Sequence, residues 1–158
     1  TIKMTPAVNT AKKAGIWFQT HAYEHDSAHP SYGMEAAEKL GIPPERVFKT
    51  LVVRLDGREL AVAVVPVSSQ LDLKAFAKTV NVKKVAMADA KQVERSTGYV
   101  LGGVSPLGQK RRLLTLIDRS AIDFPTLFVS AGRRGLEIEL AADDLLKLLN
   151  ARLAEIAK

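Results

Sequence analysis

VFKTLVVRLDGRELAVAVVP, Val47 to Pro66, holds two apolar runs around Asp56-Gly57. Asp-Gly suits a two-residue type I′ turn, which needs φ > 0 at both central positions, so the runs are expected as an antiparallel hairpin. Alternation at period two puts Val47, Lys49, Leu51, Val53 and Leu55 on one face of the first strand and Phe48, Thr50, Val52 and Arg54 on the other. Lys49 therefore shares its face with four aliphatic side chains. An ammonium in that setting must snorkel to water, meet an anion or give up its proton, because unpaired burial of charge is among the costliest things in a fold.

Outward from the hairpin, local signals mark the other elements. Thr5-Pro6 reads as a helix cap followed by a first-turn proline, with Gly15 as the stop. Ile16 to Tyr23 alternates as a strand, with His21 and Tyr23 on one face. A polar loop, EHDSAHPSYG, leads to a short helix MEAAEKL closed by Gly41, and Pro43-Pro44 opens a helical turn. Leu71 to Val80 is expected as a helix, Val82 to Met87 as a strand, and Asp89 as the N-cap of AKQVERST, stopping at Gly98. Further strands are expected at 113–117, 126–129 and 135–140, and Ala142 to Ala157 has the apolar spacing of a closing amphipathic helix. Hairpins and helices without regular βαβ alternation predict an α+β fold, a mixed and largely antiparallel sheet flanked by helices.

The chain has 158 residues, 47% of them hydrophobic, enough for one sizeable core, so a single domain over 1–158 is expected. No apolar run approaches the ~18 residues of a membrane span and the N-terminus lacks a signal-peptide pattern, so the expected location is cytoplasmic. Cysteine is absent, which excludes disulfides, thiolate nucleophiles and cysteine-based metal sites. Lys+Arg 23 against Asp+Glu 17 gives a net charge of +6, compatible with a polyanionic partner.

His21, His25 and His29 recur at four-residue intervals, but a strand followed by a loop broken by Pro30 cannot give helical registration, and HExxH is missing; no metal and no cofactor is expected. GGVSPLGQK lacks the Lys-Ser/Thr that a phosphate-binding loop needs after its second glycine. As a nucleophile elbow it also fails. Pro106 follows Ser105 and has no N–H for an oxyanion hole. What remains is a Gly-Gly turn, which brings bare backbone against a ligand or simply turns the chain. Positive charge gathers at Lys110-Arg111-Arg112 and Arg133-Arg134, beside glycine-bearing turns that suit phosphate contact or form a solvated basic rim.

Seven segments in order, MTPAV at Met4, HAYEHD at His21, FKT at Phe48, QLDLK at Gln70, KKVAMAD at Lys83, RSTGYVLGGVSPLGQK at Arg95 and VSAGRRGL at Val129, resemble the YbaK-type bacterial Cys-tRNA(Pro) deacylases, relatives of the editing domain of prolyl-tRNA synthetases. The resemblance implies a mixed sheet curled into a partly open barrel with surrounding helices. It implies hydrolysis in trans of Cys-tRNA(Pro), with the substrate's own thiol attacking its carbonyl. Carried over by position, Lys49 matches the essential lysine and Gly102 opens a G-x-x-x-P loop through Gly103 to Pro106; both Lys49 and Gly102 are the expected catalytic positions. Tyr23, Tyr32, Thr50, Gly103, Pro106, Ser130 and Glu137 are expected to touch the substrate, and Lys110, Arg111, Arg112, Arg133 and Arg134 the tRNA. Partners implied are the aminoacylated 3′ end of tRNA and prolyl-tRNA synthetase. Three positions depart from the usual pattern: Tyr32 for Phe, Ala131 for Gly and Glu137 for Asp. A sister deacylase for alanine or another small amino acid, and a non-catalytic RNA- or nucleotide-binding module, are the alternative readings.

Overall fold

A computed structural model of the chain describes residues 4–29 and 31–158. The loop break assigned to Pro30 lies outside the described residues. Capping chemistry sets the first elements. Thr5 Oγ1 accepts the Val8 N–H at 3.1 Å, Pro6 begins α1 (Pro6–Ala14), and Gly15 at φ 69° ends it. After β1 (Phe18–Ala22), Ser31 caps α2 (Tyr32–Leu40) by accepting the Met34 N–H at 3.3 Å. That helix starts two residues before the expected MEAAEKL, because the serine satisfies the orphan donor of the first turn.

A 3₁₀ turn at Pro44–Arg46 leads into β2 (Phe48–Leu55), which pairs antiparallel with β3 (Glu59–Pro66). Asp56 at φ 50° and Gly57 at φ 71° supply the two positive angles. The connection nevertheless holds three residues. Arg58 donates its N–H to the Leu55 carbonyl at 2.9 Å, and Leu55 then pairs with Glu59. Asp72, accepting the Ala75 N–H at 3.0 Å, caps α3 (Leu73–Val80), so Leu71 is freed to bridge Ala157. Next come β4 (Val85–Met87) and α4 (Ala90–Thr97), the latter opened by a reciprocal Asp89–Gln92 capping box. β5 (Leu114–Asp118), β6 (Leu127–Arg133), β7 (Leu136–Leu140), α5 (Ala142–Leu149) and β8 (Arg152–Ala154) complete the chain.

The strands form two sheets, ordered β1-β7-β6 and β4-β2-β3-β5-β8. Pairing is antiparallel except for β3–β5 and β5–β8, so the architecture is mixed and largely antiparallel as expected. The sheets meet along a seam marked by a parallel Val47–Phe128 bridge, which curls the assembly without closing it. Val52, Val62, Val64 and Ile117 of the larger sheet pack with Leu127, Val129, Ile138 and Leu140 of the smaller, together with Ala7, Val8 and Ala11 of α1. Behind β2, the face carrying Val53 and Leu55 packs on Phe76 of α3, which is wholly buried. Truncating Phe76 to Ala costs roughly 3–5 kcal/mol, the usual penalty for a lost core aromatic.

The closing helix expected over 142–157 ends at Leu149. Asn150, at φ 49°, turns the chain into β8, and Asp118 Oδ1 then accepts the backbone N–H groups of Ile156 (3.1 Å) and Ala157 (3.0 Å). The apolar spacing persists because Leu145 and Ile156 are both buried. They belong to different elements and to different clusters of the core.

Candidate functional site

A cavity of about 390 Å³ opens at the seam, and its lining includes Tyr23, Tyr32, Lys49, Thr50, Gly102, Ser130 and Glu137. The structure thus gathers seven of the expected substrate and catalytic positions, from six separate places along the chain. Lys49 and Thr50 come from β2 and Ser130 from β6. Glu137 stands opposite Ser130 in the β6–β7 register.

Lys49 is half-buried and takes part in no ion pair among the described residues. Desolvation holds its pKa below the usual lysine range. Glu137 is 6% exposed, and burial pushes its pKa up to about 8. Tyr23 is raised to about 12, first by burial and then by the negative charge of Glu137. Thr50 Oγ1 is buried and has no hydrogen-bond partner among the described residues. An orphan hydroxyl at the wall of an open cavity is the kind of group that a ligand satisfies.

Gly102 has φ +91°, a conformation that side-chain-bearing residues rarely adopt. A Cβ there would stand 3.3 Å from three ring atoms of Tyr32. Gly103 serves packing instead: a Cβ on it would lie 2.6 Å from the Arg133 Cα. Neither Gly103 nor Pro106 lines the cavity. Pro106 borders a separate groove of about 180 Å³ with Arg111, Arg112 and Leu148. The reason lies in the loop's direction. Tyr99 donates its hydroxyl to the Leu107 carbonyl at 2.6 Å and pulls the second half of the loop into the core.

Lys110, Arg111, Arg112 and Arg133 are exposed. Arg134 is not a free cation. Its Nη2 lies 3.3 Å from Glu35 Oε1 and donates to the Asp26 carbonyl at 2.7 Å. The three histidines also separate. His21 Nε2 lies 2.9 Å from Glu139 Oε1, and His29 Nε2 lies 3.1 Å from Glu38 Oε2. Among the described residues no group of three His, Cys, Asp or Glu side chains converges as a metal site.

No conventional nucleophile assembly is present among the described residues lining the cavity. Ser105 is wholly buried and its Oγ accepts the Leu107 N–H at 3.2 Å, while Ser130 Oγ accepts the Gly132 N–H at 3.2 Å. Three contributors escaped sequence reasoning. Leu101 and Val104 line the cavity, and their signal was their adjacency to the Gly102-Gly103 turn. Glu35, wholly buried in α2, holds Arg134 beside it, and only its i,i+4 spacing from Lys39 hinted at a pairing.

The family described as "Aminoacyl-tRNA editing domain" matches residues 30–148. A protein of Enterococcus faecalis, "Putative Cys-tRNA(Pro)/Cys-tRNA(Cys) deacylase EbsC", is 38% identical over 99% of this chain and 94% of its own. "Uncharacterized protein YwhH" of Bacillus subtilis is 31% identical over 70% of each chain. A solved structure, "Crystal structure of a putative trans-editing enzyme for prolyl tRNA synthetase", shares the fold with a TM-score of 0.80 at 20% identity, covering 99% of both chains. With the motifs in order along the chain and the cavity assembled from them, the chain belongs to the aminoacyl-tRNA editing domain family.

Proposed function

We propose that this chain is a trans-editing deacylase that hydrolyses the ester joining cysteine to proline tRNA. The observation that carries the reading is Lys49: an ammonium without a protein counter-ion among the described residues, at the wall of a largely apolar cavity shared with the Gly102 turn. Such a cation suits a phosphate or a developing oxyanion of the acylated 3′-adenosine, where its charge acts in a site with little water. The Gly102 turn offers backbone groups to the same carbonyl, and one well-placed donor contributes about 10²–10³ in rate.

The reaction needs no protein nucleophile. The substrate's sulfur forms a bond to its own carbonyl carbon as the C–O bond to the ribose breaks, and the thiol proton passes to the departing ribose oxygen. Water then opens the cyclic thioester to free cysteine. Thr50, Ser130, Tyr23 and Glu137 would orient the aminoacyl group, with Tyr32 at the mouth. Lys110, Arg111, Arg112 and Arg133 would meet tRNA phosphates. Residues 1–158 act as one editing unit in this reading, in the cytoplasm, and a complex with prolyl-tRNA synthetase supplies selectivity for the tRNA body. Among the described residues no helix is long and apolar enough to cross a membrane.

The test is a time course of ester loss from Cys-tRNA(Pro), with Ala-tRNA(Pro) and Cys-tRNA(Cys) alongside. Wild-type protein is expected to clear the cysteine ester and spare alanine, and Lys49→Ala to lower the rate at least about 10²-fold with an unchanged melting curve. Preferential loss of the alanine ester would assign the chain to a sister editing activity. Salt-dependent tRNA binding with no ester cleavage would leave a binding module.

A further inference from the structure

Tyr32 stands at the cavity mouth, 46% exposed, yet both faces of its ring are covered. A Cβ built on Gly102 would lie 3.3 Å from Cε1, Cε2 and Cζ alike. Three equal distances to three atoms of a regular ring place that point on the ring normal, so a Gly102 α-hydrogen aims at the ring centre. Arg134 Cζ lies 4.2 Å from the same centre. No Arg134 atom comes nearer than 3.3 Å to the Gly102 point, which leaves the guanidinium the opposite face. Clamped in this way, the ring offers only its edge and hydroxyl, and a nucleobase cannot stack on it.

The guanidinium is itself held by a buried carboxylate. Arg134 Nε donates to Glu35 Oε1 at 3.3 Å, and Nη2 reaches the same oxygen at 3.3 Å. Glu35 Oε2 accepts the Asp26 N–H at 2.5 Å and meets the Lys39 ammonium at 3.1 Å. Although desolvation works against the charge, the Asp26 N–H, Lys39 and Arg134 hold the Glu35 carboxyl below the usual range. One carboxylate thus ties the loop after β1, the helix α2 and the turn between β6 and β7. That turn also backs Gly103, whose Cβ position lies 2.6 Å from Arg133 Cα.

We propose that Glu35 and Arg134 are positioning residues for the Gly102 backbone. Arg134 presses Tyr32 onto Gly102, and Glu35 fixes Arg134, so the pair sets where the glycine turn stands relative to Lys49 without touching substrate. The proposal rests on Gly102 as a substrate-facing turn, and its test carries a readout free of that assumption.

The experiment combines glycine-selective NMR with single-turnover kinetics on wild-type, Arg134→Gln, Glu35→Gln, Tyr32→Phe, Tyr32→Leu and the Arg134→Gln/Tyr32→Leu double variant. In wild type the ring current shifts a Gly102 α-proton upfield. Arg134→Gln and Glu35→Gln are expected to relax that shift and lower kcat roughly ten- to a hundredfold with KM and salt dependence nearly unchanged. Tyr32→Phe keeps the upfield shift, because the ring over Gly102 remains. In the Tyr32→Leu background, Arg134→Gln adds little further loss, because both act through one contact. A Gly102 resonance unmoved by Arg134→Gln overturns the proposal, as does a salt-dependent rise in KM, the mark of a phosphate contact. If Glu35→Gln fails to fold, Arg134→Gln alone decides. Should wild-type protein cleave none of the esters, the deacylase reading fails while the NMR arm still reads the clamp.

Discussion

Lys49 and Glu137 reach one cavity from two different sheets, and burial displaces both toward their uncharged forms. Lys49 is held below the usual lysine range and Glu137 is raised to about 8. A lining that penalises charge of either sign leaves the electrostatic demand of the site to be met by the ligand. In the proposed deacylase reading, an ester linked to a phosphodiester would meet that demand at Lys49, while a protonated Glu137 would donate to a carbonyl without repelling it.

Glu137 gives a pH dependence with a definite sign. Its folded pKa of about 8 lies above the ordinary 4.5, so the stability it permits is complete below about pH 4.5 and is lost progressively as pH rises to about 8. The loss by pH 7 is on the order of 3 kcal/mol from this group alone. Urea unfolding at pH 5 and pH 8.5 is expected to show Glu137→Gln more stable than wild type at the higher pH only. Equal offsets at the two pH values would mean that Glu137 ionises normally.

The paired glycines should respond differently to one added methyl group. Gly103→Ala drives a Cβ to 2.6 Å from the Arg133 Cα, where only backbone could give way, and is expected to destabilise by roughly 1–3 kcal/mol. Gly102→Ala meets the Tyr32 ring at 3.3 Å and inherits φ +91°, a strain of about 1–2 kcal/mol. Thermal melts with single-turnover rates separate them. Gly103→Ala should lower Tm more, and Gly102→Ala should lower the rate out of proportion to its Tm.

Charge reversal or removal on the second groove tests tRNA contact. Arg111→Gln and Arg112→Gln, both at exposed positions, are each expected to weaken tRNA binding and reduce the log–log salt slope by about 1. Filter binding of uncharged tRNA(Pro) across a salt series measures it. An unchanged slope in the double variant would remove this edge from the RNA footprint.

Asp118 anchors the C-terminal strand. Oδ1 takes the N–H groups of Ile156 and Ala157, and Oδ2 takes the Ser120 N–H at 3.1 Å and hydroxyl at 2.6 Å. Asp118→Ala strands one buried and one half-buried donor and is expected to cost roughly 2–3 kcal/mol. Hydrogen exchange at Ile156 should accelerate before that at Val64 in the central strand. Uniform acceleration would show that β8 opens only with the whole fold.

Elements signalled by local chemistry were legible in the chain. Thr5-Pro6, Asp89 with Gln92 and Asp56-Gly57 each satisfy or free specific backbone groups within a few residues, so their effect does not depend on distant packing. Lys49 was legible for a similar reason, since strand alternation alone fixes its face. What failed was long-range. The segment after α5 is held by Asp118, 38 residues before Ile156, and a strand's alternation names a buried face without naming the sheet that covers it. Arg134 read as an exposed cation because its partner Glu35 stands 99 residues earlier, in a helix whose Lys39 suggested an ordinary solvated pair.

The seam between the sheets divides the cavity's labour. Its cation arrives on β2, and the carboxyl that departs from the usual pattern arrives on β7; between the two sheets the only strand-type pairing described is the bridge at Val47 and Phe128. Residues on the β7 side can therefore change size while the ammonium keeps its station. In the deacylase reading, such an arrangement would let one chemical apparatus be refitted to amino acids of different shape by alterations confined to a single strand.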